Sequence, residues 1–163
     1  MYTFVVDGSE QPINASLNMR QDAAFYSAKK GTHTINVLVV VDVTGRVIWI
    51  SDSFSGSFND NAIVKEQLRE FLSKITKDEW GLGDLGFEGL ANTFQIIPCP
   101  ERGSAHFRLF SSYRVKVENR FASLKKWRSL KDEIRCPLVE EQKALAEHHK
   151  RWVVVAALDA DYD

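Results

Sequence analysis

Apolar residues along this chain come first in short β-branched runs and later at helical spacing. Residues 2–6 form an apolar run that leads straight into Asp7-Gly8, which predicts a short buried strand. Residues 33–41 are β-branched and apolar and predict a central strand. Asp42-Val43-Thr44-Gly45 reads as a turn, and residues 46–51 as the antiparallel partner. A Ser/Gly loop follows over 53–59. Asp60 then stands where a helix N-cap belongs, and residues 61–74 carry helical periodicity through Ile63, Val64, Leu68, Phe71, Leu72 and Ile75. A glycine-punctuated turn region spans 81–89, and residues 94–97 suggest a short strand stopped by Pro98 and Pro100. After a polar loop over 101–107, a long helix is expected over 109–135 and a last one over 138–157. In the long helix, Trp127 with Phe121, Leu124 and Leu130 reads as a core stripe. Strand, hairpin, helix, strand and long helix in this order predict a mixed α/β sheet covered by helices.

Composition narrows the class. The chain has 163 residues, enough for one domain with a real core, and its 44% hydrophobic and 26% charged content is that of a globular protein. No repeat or linker interrupts it, so a single domain over 1–163 is expected. Net charge is -1, so overall charge gives no argument for a nucleic-acid partner. Cys99 and Cys136 lie far apart without zinc-type spacing and fit a reducing compartment. The N-terminus is too soon interrupted for a signal peptide, and no apolar run approaches membrane-spanning length. A soluble intracellular protein without a membrane partner is expected.

Local charge tells more than the total. Seven Lys or Arg lie between Arg114 and Lys131, and Glu118 is the lone acid among them. On a helix, Arg114, Glu118 and Lys125 share one stripe, because offsets of four and seven return to the same face. The stripe reads either as an ordinary ion-paired face or as a metal-binding carboxylate set in a phosphate-binding surface. Two further acids stand where active sites usually lie: Asp7 at a strand end and Asp84 in a loop between glycines. Metal-assisted phosphodiester cleavage needs carboxylates converging from separate elements. Asp7, Asp84 and Glu118 meet that requirement, although each alone also has a plain structural explanation.

Several blocks resemble, in order, those of the DDE transposases of the PIF/Harbinger group and of their bacterial insertion-sequence relatives. Val6-Asp7-Gly8-Ser9 resembles the first aspartate block. The stretch from Tyr26 to Thr34 resembles Tyr-Ser-Gly-Lys-Lys-x-x-His-Thr. Phe54 to Asp60 resembles Pro-Gly-Ser-x-His-Asp, and Gly83 to Gly89 resembles Asp-x-Gly-Tyr-x-Gly. Val117 to Lys125 resembles the glutamate block, and Asp84 and Glu118 are 34 positions apart, as is usual in that family.

The resemblance implies an RNase H-like fold and a nuclease and strand-transfer activity on DNA, with Mg2+ or Mn2+ as a pair of divalent ions. Asp7, Asp84 and Glu118 would be the catalytic, metal-holding residues. Arg114 and Lys125 would contact DNA phosphates, and Lys29 and Lys30 either do so too or form a solvated strand edge together with His33. Asp60 is either a helix cap or an auxiliary metal residue. Departures qualify the match: Asn59 replaces the usual histidine, Ser9 and Glu10 replace Thr-His, and Ser111 stands where a tyrosine is expected. No helical DNA-binding region precedes Asp7, and the acidic end lacks a Leu-His-Asn sequence. A truncated copy is therefore expected, with a separate Myb-like DNA-binding partner and a homo-oligomer left open. The second reading is an inactive or domesticated remnant that binds DNA or protein. A nuclear location is expected for a eukaryotic source and a cytoplasmic one for a prokaryotic source.

Overall fold

In the computed structural model the described residues are 2–14, 18–84, 87–88, 90–99, 102, 105–135 and 141–160, without the side chains of 19, 91, 92, 105 and 106. In chain order the elements are β1 (Tyr2–Pro12), α1 (Met19–Phe25), β2 (Tyr26–Ser27), β3 (Thr32–Asp42), β4 (Val47–Ile50), β5 (Phe54–Ser55) and α2 (Asp60–Ile63). A π-helical turn (Val64–Leu68) joins α2 to α3 (Arg69–Leu72). Then come β6 (Trp80–Gly83), α4 (Ala91–Phe94), β7 (Ile96–Pro98), α5 (Ala105–Leu124), α6 (Arg128–Lys131) and α7 (Glu141–Ala160).

One sheet holds every strand among the described residues. β1 pairs antiparallel with β3 along its length, from Phe4 opposite Asp42 to Pro12 opposite Thr34. On its other edge β1 pairs parallel with β6, and β6 with β7. The far edge of β3 is taken in succession by β2, β5 and β4. The sheet is therefore antiparallel on one side of β1 and parallel on the other, with helices on both faces. This is the mixed α/β arrangement expected from the sequence, and it is consistent with an RNase H-like fold.

Alternation along the strands separates two cores. Phe4, Val6, Leu38 and Val40 pack against Ile63, Val64, Leu68 and Phe71 of the α2–α3 stretch. Val5, Val37, Val39, Val41 and Leu82 pack on the opposite face against Phe110, Val117 and Leu124 of α5, Leu130 of α6 and Trp152 and Val155 of α7. β3 is buried on both faces, which is why its sequence is a continuous apolar run rather than an alternating one. Phe121 and Trp127 join the second core, as the stripe reading requires.

Several boundaries differ from the sequence reading, each for a physical reason. β1 continues past Asp7 to Pro12, because its backbone stays paired with β3 from Asp7 opposite Val39 to Pro12 opposite Thr34. Gln11, almost fully buried, donates to the carbonyls of Ser129 at 3.1 Å and Asp132 at 2.6 Å. The predicted strand over 94–97 is divided: α4 ends at Phe94, Gln95 turns into the left-handed region (φ 52°), and β7 begins at Ile96. The long helix starts at Ala105 and stops at Leu124, and extended backbone at Trp127 (ψ 124°) separates it from α6. Leu85, Gly86 and Gly89 of the glycine block lie outside the described residues. So do Pro100, Glu101, Gly103, Ser104, Cys136 and the predicted start of the last helix at Leu138.

A buried polar cluster fastens α7 to the sheet. Ser53 Oγ lies 2.6 Å from His148 Nδ1, Gln11 Oε1 lies 3.2 Å from His148 Nε2, and Trp152 Nε1 donates to His148 Nε2 at 3.2 Å. Burial, with the nearby charges of Arg151 and His149, pushes the His148 pKa down to about 3, so this imidazole is neutral at physiological pH. Trp152 beside it is fully buried, whereas Val153 is exposed. Trp152→Ala is expected to cost about 3–5 kcal/mol, and Val153→Ala less than about 0.5 kcal/mol. Urea unfolding checks both values, and equal effects would contradict the packing of α7.

Candidate active site

The register of β1 against β6 sets the floor of the site. Val5 opposite Leu82 is the last pair between these parallel strands. Asp7 and Asp84 each stand two residues beyond that pair, where the strands part. The pairing thus delivers Asp7 and Asp84 to the same end of the sheet. The charge of Asp84 acts on Asp7, and the Asp7 carboxyl is raised to about 6. Burial is the largest cause, and the charges of Asp84 and Asp60 add to it. The Gly8 amide, which donates to Asp7 Oδ1 at 2.8 Å, and the Arg114 guanidinium oppose it.

Asp60 approaches from the other face of β1. The helix N-cap is Asn59, whose side chain accepts from the Ala62 amide at 2.8 Å, so the capping role expected of Asp60 is corrected. Asp60 is the first helical residue, and its carboxylate lies over Gly8. A Cβ built on Gly8 would stand 2.8 Å from Asp60 Cγ and 3.0 Å from Oδ2, with Oδ1 closer still. Burial raises the Asp60 carboxyl, Asp84 and Glu10 add to the rise, and Lys29 opposes it. Glu10 was not singled out from the sequence. It shares the parity of Gly8 along β1, and it accepts a hydrogen bond from Thr34 Oγ1 at 3.0 Å.

Helix α5 crosses this end of the sheet. Phe110, Val117 and Leu124 recur every seven residues and form its buried seam. Arg114, Glu118 and Lys125 flank that seam on one side. Arg114 Nε donates to Glu118 at 2.9 Å, and this bond is the main cause that holds the guanidinium pKa above its ordinary value. The charges of Asp7 and Asp84 act on Arg114 in the same direction. Glu118 is thus tied to Arg114, with its side chain 57% exposed, and Arg114 is its visible link to the other two acids. Lys125 is half-buried; burial and the neighbouring Lys30 lower its pKa, while Asp7 and Glu10 oppose that. Lys29 and Lys30 are exposed. Lys29 acts on Asp60, Asp7 on Lys125 and Lys30 on Lys125, so Lys29 and Lys125 lie within electrostatic reach of the acids and Lys30 within reach of Lys125.

The donor set suits a hard divalent cation. Asp7, Asp60 and Asp84 offer only oxygen, and their mutual repulsion is what a bound cation would relieve. Among the described residues no group of three His, Cys, Asp or Glu side chains is drawn together tightly enough to hold a metal ion by itself. Magnesium is often held by one or two carboxylates with water and substrate phosphate completing the shell, so the Asp7–Asp84 pair meets the chemical requirement.

The comparisons with known proteins agree with this chemistry. The sequence profile of a DDE superfamily endonuclease family matches residues 6–158. A mouse (Mus musculus) protein described as "Putative nuclease HARBI1" is 31% identical over 83 residues, which cover 50% of this chain and 24% of that protein. The rat (Rattus norvegicus) protein of the same description is 36% identical over 75 residues, 45% of this chain and 21% of its own. The human (Homo sapiens) one is 33% identical over 64 residues, 38% and 18% respectively. The match spans about a fifth to a quarter of the length of these curated relatives. No solved structure gives a significant match. With its profile match running from the strand that carries Asp7 to the last helix, the chain belongs to the DDE superfamily endonuclease family.

Proposed function

We propose that this chain is the catalytic core of a divalent-metal-dependent DNA endonuclease, with Asp7, Asp84 and Glu118 as its acids. The observation that carries the reading is the charge arrangement. Two carboxylates are forced together at the parting of β1 and β6, a third leans on them from α2, and Arg114, Lys125, Lys29 and Lys30 stand around them. An acid cluster edged by cations suits a phosphodiester held on cations while acids work at its centre.

Asp7 and Asp84 would hold Mg2+ or Mn2+, with Glu118 as the third carboxylate. Bound there, a pair of such ions would lower the pKa of an attacking water and neutralise charge on the leaving oxygen. The chain's own residues do the rest. The Gly8 amide orients the Asp7 carboxylate through its hydrogen bond. Arg114, released from Glu118 by an incoming phosphate, grips that phosphate and leaves the Glu118 carboxylate available to the site. The ion pair is exposed, so this exchange costs little. Lys125, Lys29 and Lys30 bind neighbouring phosphates. Recognition of a particular DNA sequence would come from a Myb-like partner or a second copy of the chain. No described helix is long and apolar enough to cross a membrane, and the vertebrate relatives favour a nuclear location.

Nicking of supercoiled plasmid DNA tests the reading. The protein is expected to nick with Mg2+ or Mn2+ and not with chelator present. Asp84→Asn should lose more than about 100-fold, beyond the range typical of residues outside the metal's own ligands. Equal nicking by wild type and variant would defeat the proposal. Salt-dependent DNA binding without any cleavage would assign the chain to the binding-only reading instead.

Stability against pH gives a second test. The folded-state pKa of Asp7 is raised to about 6, so its contribution is present below the ordinary carboxylate pKa and is lost as pH rises through 6. His148 is lowered to about 3, so its contribution is present above the ordinary histidine pKa and is lost as pH falls below it. Between about pH 4 and 6 the two slopes, each about 1.4 kcal/mol per unit, oppose one another. Asp7→Asn removes one of them. Without divalent metal the variant should be roughly 2–3 kcal/mol more stable than wild type at pH 7.5 and lose that lead towards pH 4. Urea unfolding across this range measures it, and a variant no more stable at pH 7.5 would contradict the acid cluster.

A further inference from the structure

We propose that Asp60 is a positioning residue for divalent-cation capture, acting through its seat on Gly8 rather than as a helix cap. The inference rests on the metal-site reading above and deepens it.

The geometry begins with β1. Phe4 and Val6 point to the face covered by α2 and α3, and the alternation puts Gly8 on that same face. The missing side chain at Gly8 leaves a gap, and the Asp60 carboxylate fills it. Any Cβ there would overlap that carboxylate. The Gly8 amide meanwhile donates to Asp7 Oδ1. One glycine thus holds the Asp7 carboxylate through its N–H and accommodates the Asp60 carboxylate where its Cβ would be.

The fold does not call for an acid at this place. Asn59 already caps the helix. Asparagine at position 60 would fill the same volume without repelling Asp84, Asp7 and Glu10. Proximity to a helix N-terminus repays part of that repulsion, and so does Lys29. The desolvated charge nevertheless raises the cost of folding. Its benefit appears when a cation arrives: a third negative charge behind the Asp7–Asp84 pair deepens the potential that draws the cation in. Its short side chain, held against Gly8, also limits the freedom of the strand that carries Asp7.

Mn2+ binding measured by titration calorimetry at pH 7.5 tests this, with unfolding midpoints as the folding control. Asp60→Asn, nearly equal in size, should fold at least as stably as wild type and bind Mn2+ about tenfold more weakly, a loss in the range seen for residues that support metal ligands. Gly8→Ala should give a similar loss by displacing the carboxylate. The double variant should be no worse than either single one, because both changes remove the same contact. Wild-type Mn2+ binding that Asp7→Asn abolishes but Asp60→Asn leaves unchanged would overturn this inference alone. Wild type that binds no Mn2+, or binds it as well with Asp7→Asn, would instead overturn the metal-site reading. Should Gly8→Ala fail to fold, the Asp60→Asn comparison still decides.

Discussion

The structure depends on one strand having two different neighbours. β1 is hydrogen-bonded antiparallel to β3 on one edge and parallel to β6 on the other. The antiparallel side runs nearly the whole strand and fixes its position and pleat. The parallel side ends at Val5 and Leu82, so the chain emerges from both strands at the same level. Asp7 and Asp84 are therefore adjacent whether or not their charges favour it. A pair of like charges in a partly buried place would separate in a loop. Here the strand pairing delivers both acids to one end of the sheet, and the Asp7 carboxyl is raised chiefly by burial, with the charge of Asp84 adding to the rise.

The pleat then distributes tasks between the two faces of β1. Val5 and Leu82 belong to the core under α5, and Phe4 and Val6 to the core under α2 and α3. Acids can thus arrive from three separate elements without competing for one volume. Asp7 and Asp84 come from the sheet, Asp60 from the start of α2, and Glu118 from α5. The cations follow the same division. Arg114 and Lys125 come with α5, and Lys29 and Lys30 with the turn between β2 and β3. On the face that α5 also covers, Gln11, Ser53 and Trp152 meet a neutral His148 and tie the far end of β1 to α7.

Much of this was legible in the sequence, and what was not has definable causes. The central strand, the hairpin, the helical stretch after residue 60 and the acids at residues 7 and 84 follow from periodicity, turn chemistry and ordered blocks. The i,i+4 pair of Arg114 and Glu118 follows from helix geometry alone. The extension of β1 was hidden because Ser9 and Gln11 are polar yet buried. Burial of a polar side chain depends on distant partners, here the carbonyls of Ser129 and Asp132, which local pattern does not show. The place of Asp60 was hidden for a similar reason. Asn and Asp are both good caps, and only the structure reveals that Asn59 has taken the position. Its contact with Gly8 needs the parity of one strand and the start of one helix to be known together.

Arg114 shows how the acids and the cations depend on each other. It is bonded to Glu118 and also carries the charges of Asp7 and Asp84. A single guanidinium thus acts on three carboxylates, and Asp7, raised chiefly by burial, keeps a high pKa despite it. A compact dication at the strand ends would take over that compensation with more charge and less reach. Arg114 would then be free to bind an anion, and a phosphodiester would supply one at the same place. In the proposed site, cation and phosphate would thus favour each other's binding through one side chain. The coupling requires no movement of the sheet, only the exchange of an exposed ion pair at the flank of α5. On the proposed reading Glu118, which lies apart from the other acids, would join them once a substrate released the guanidinium that holds it.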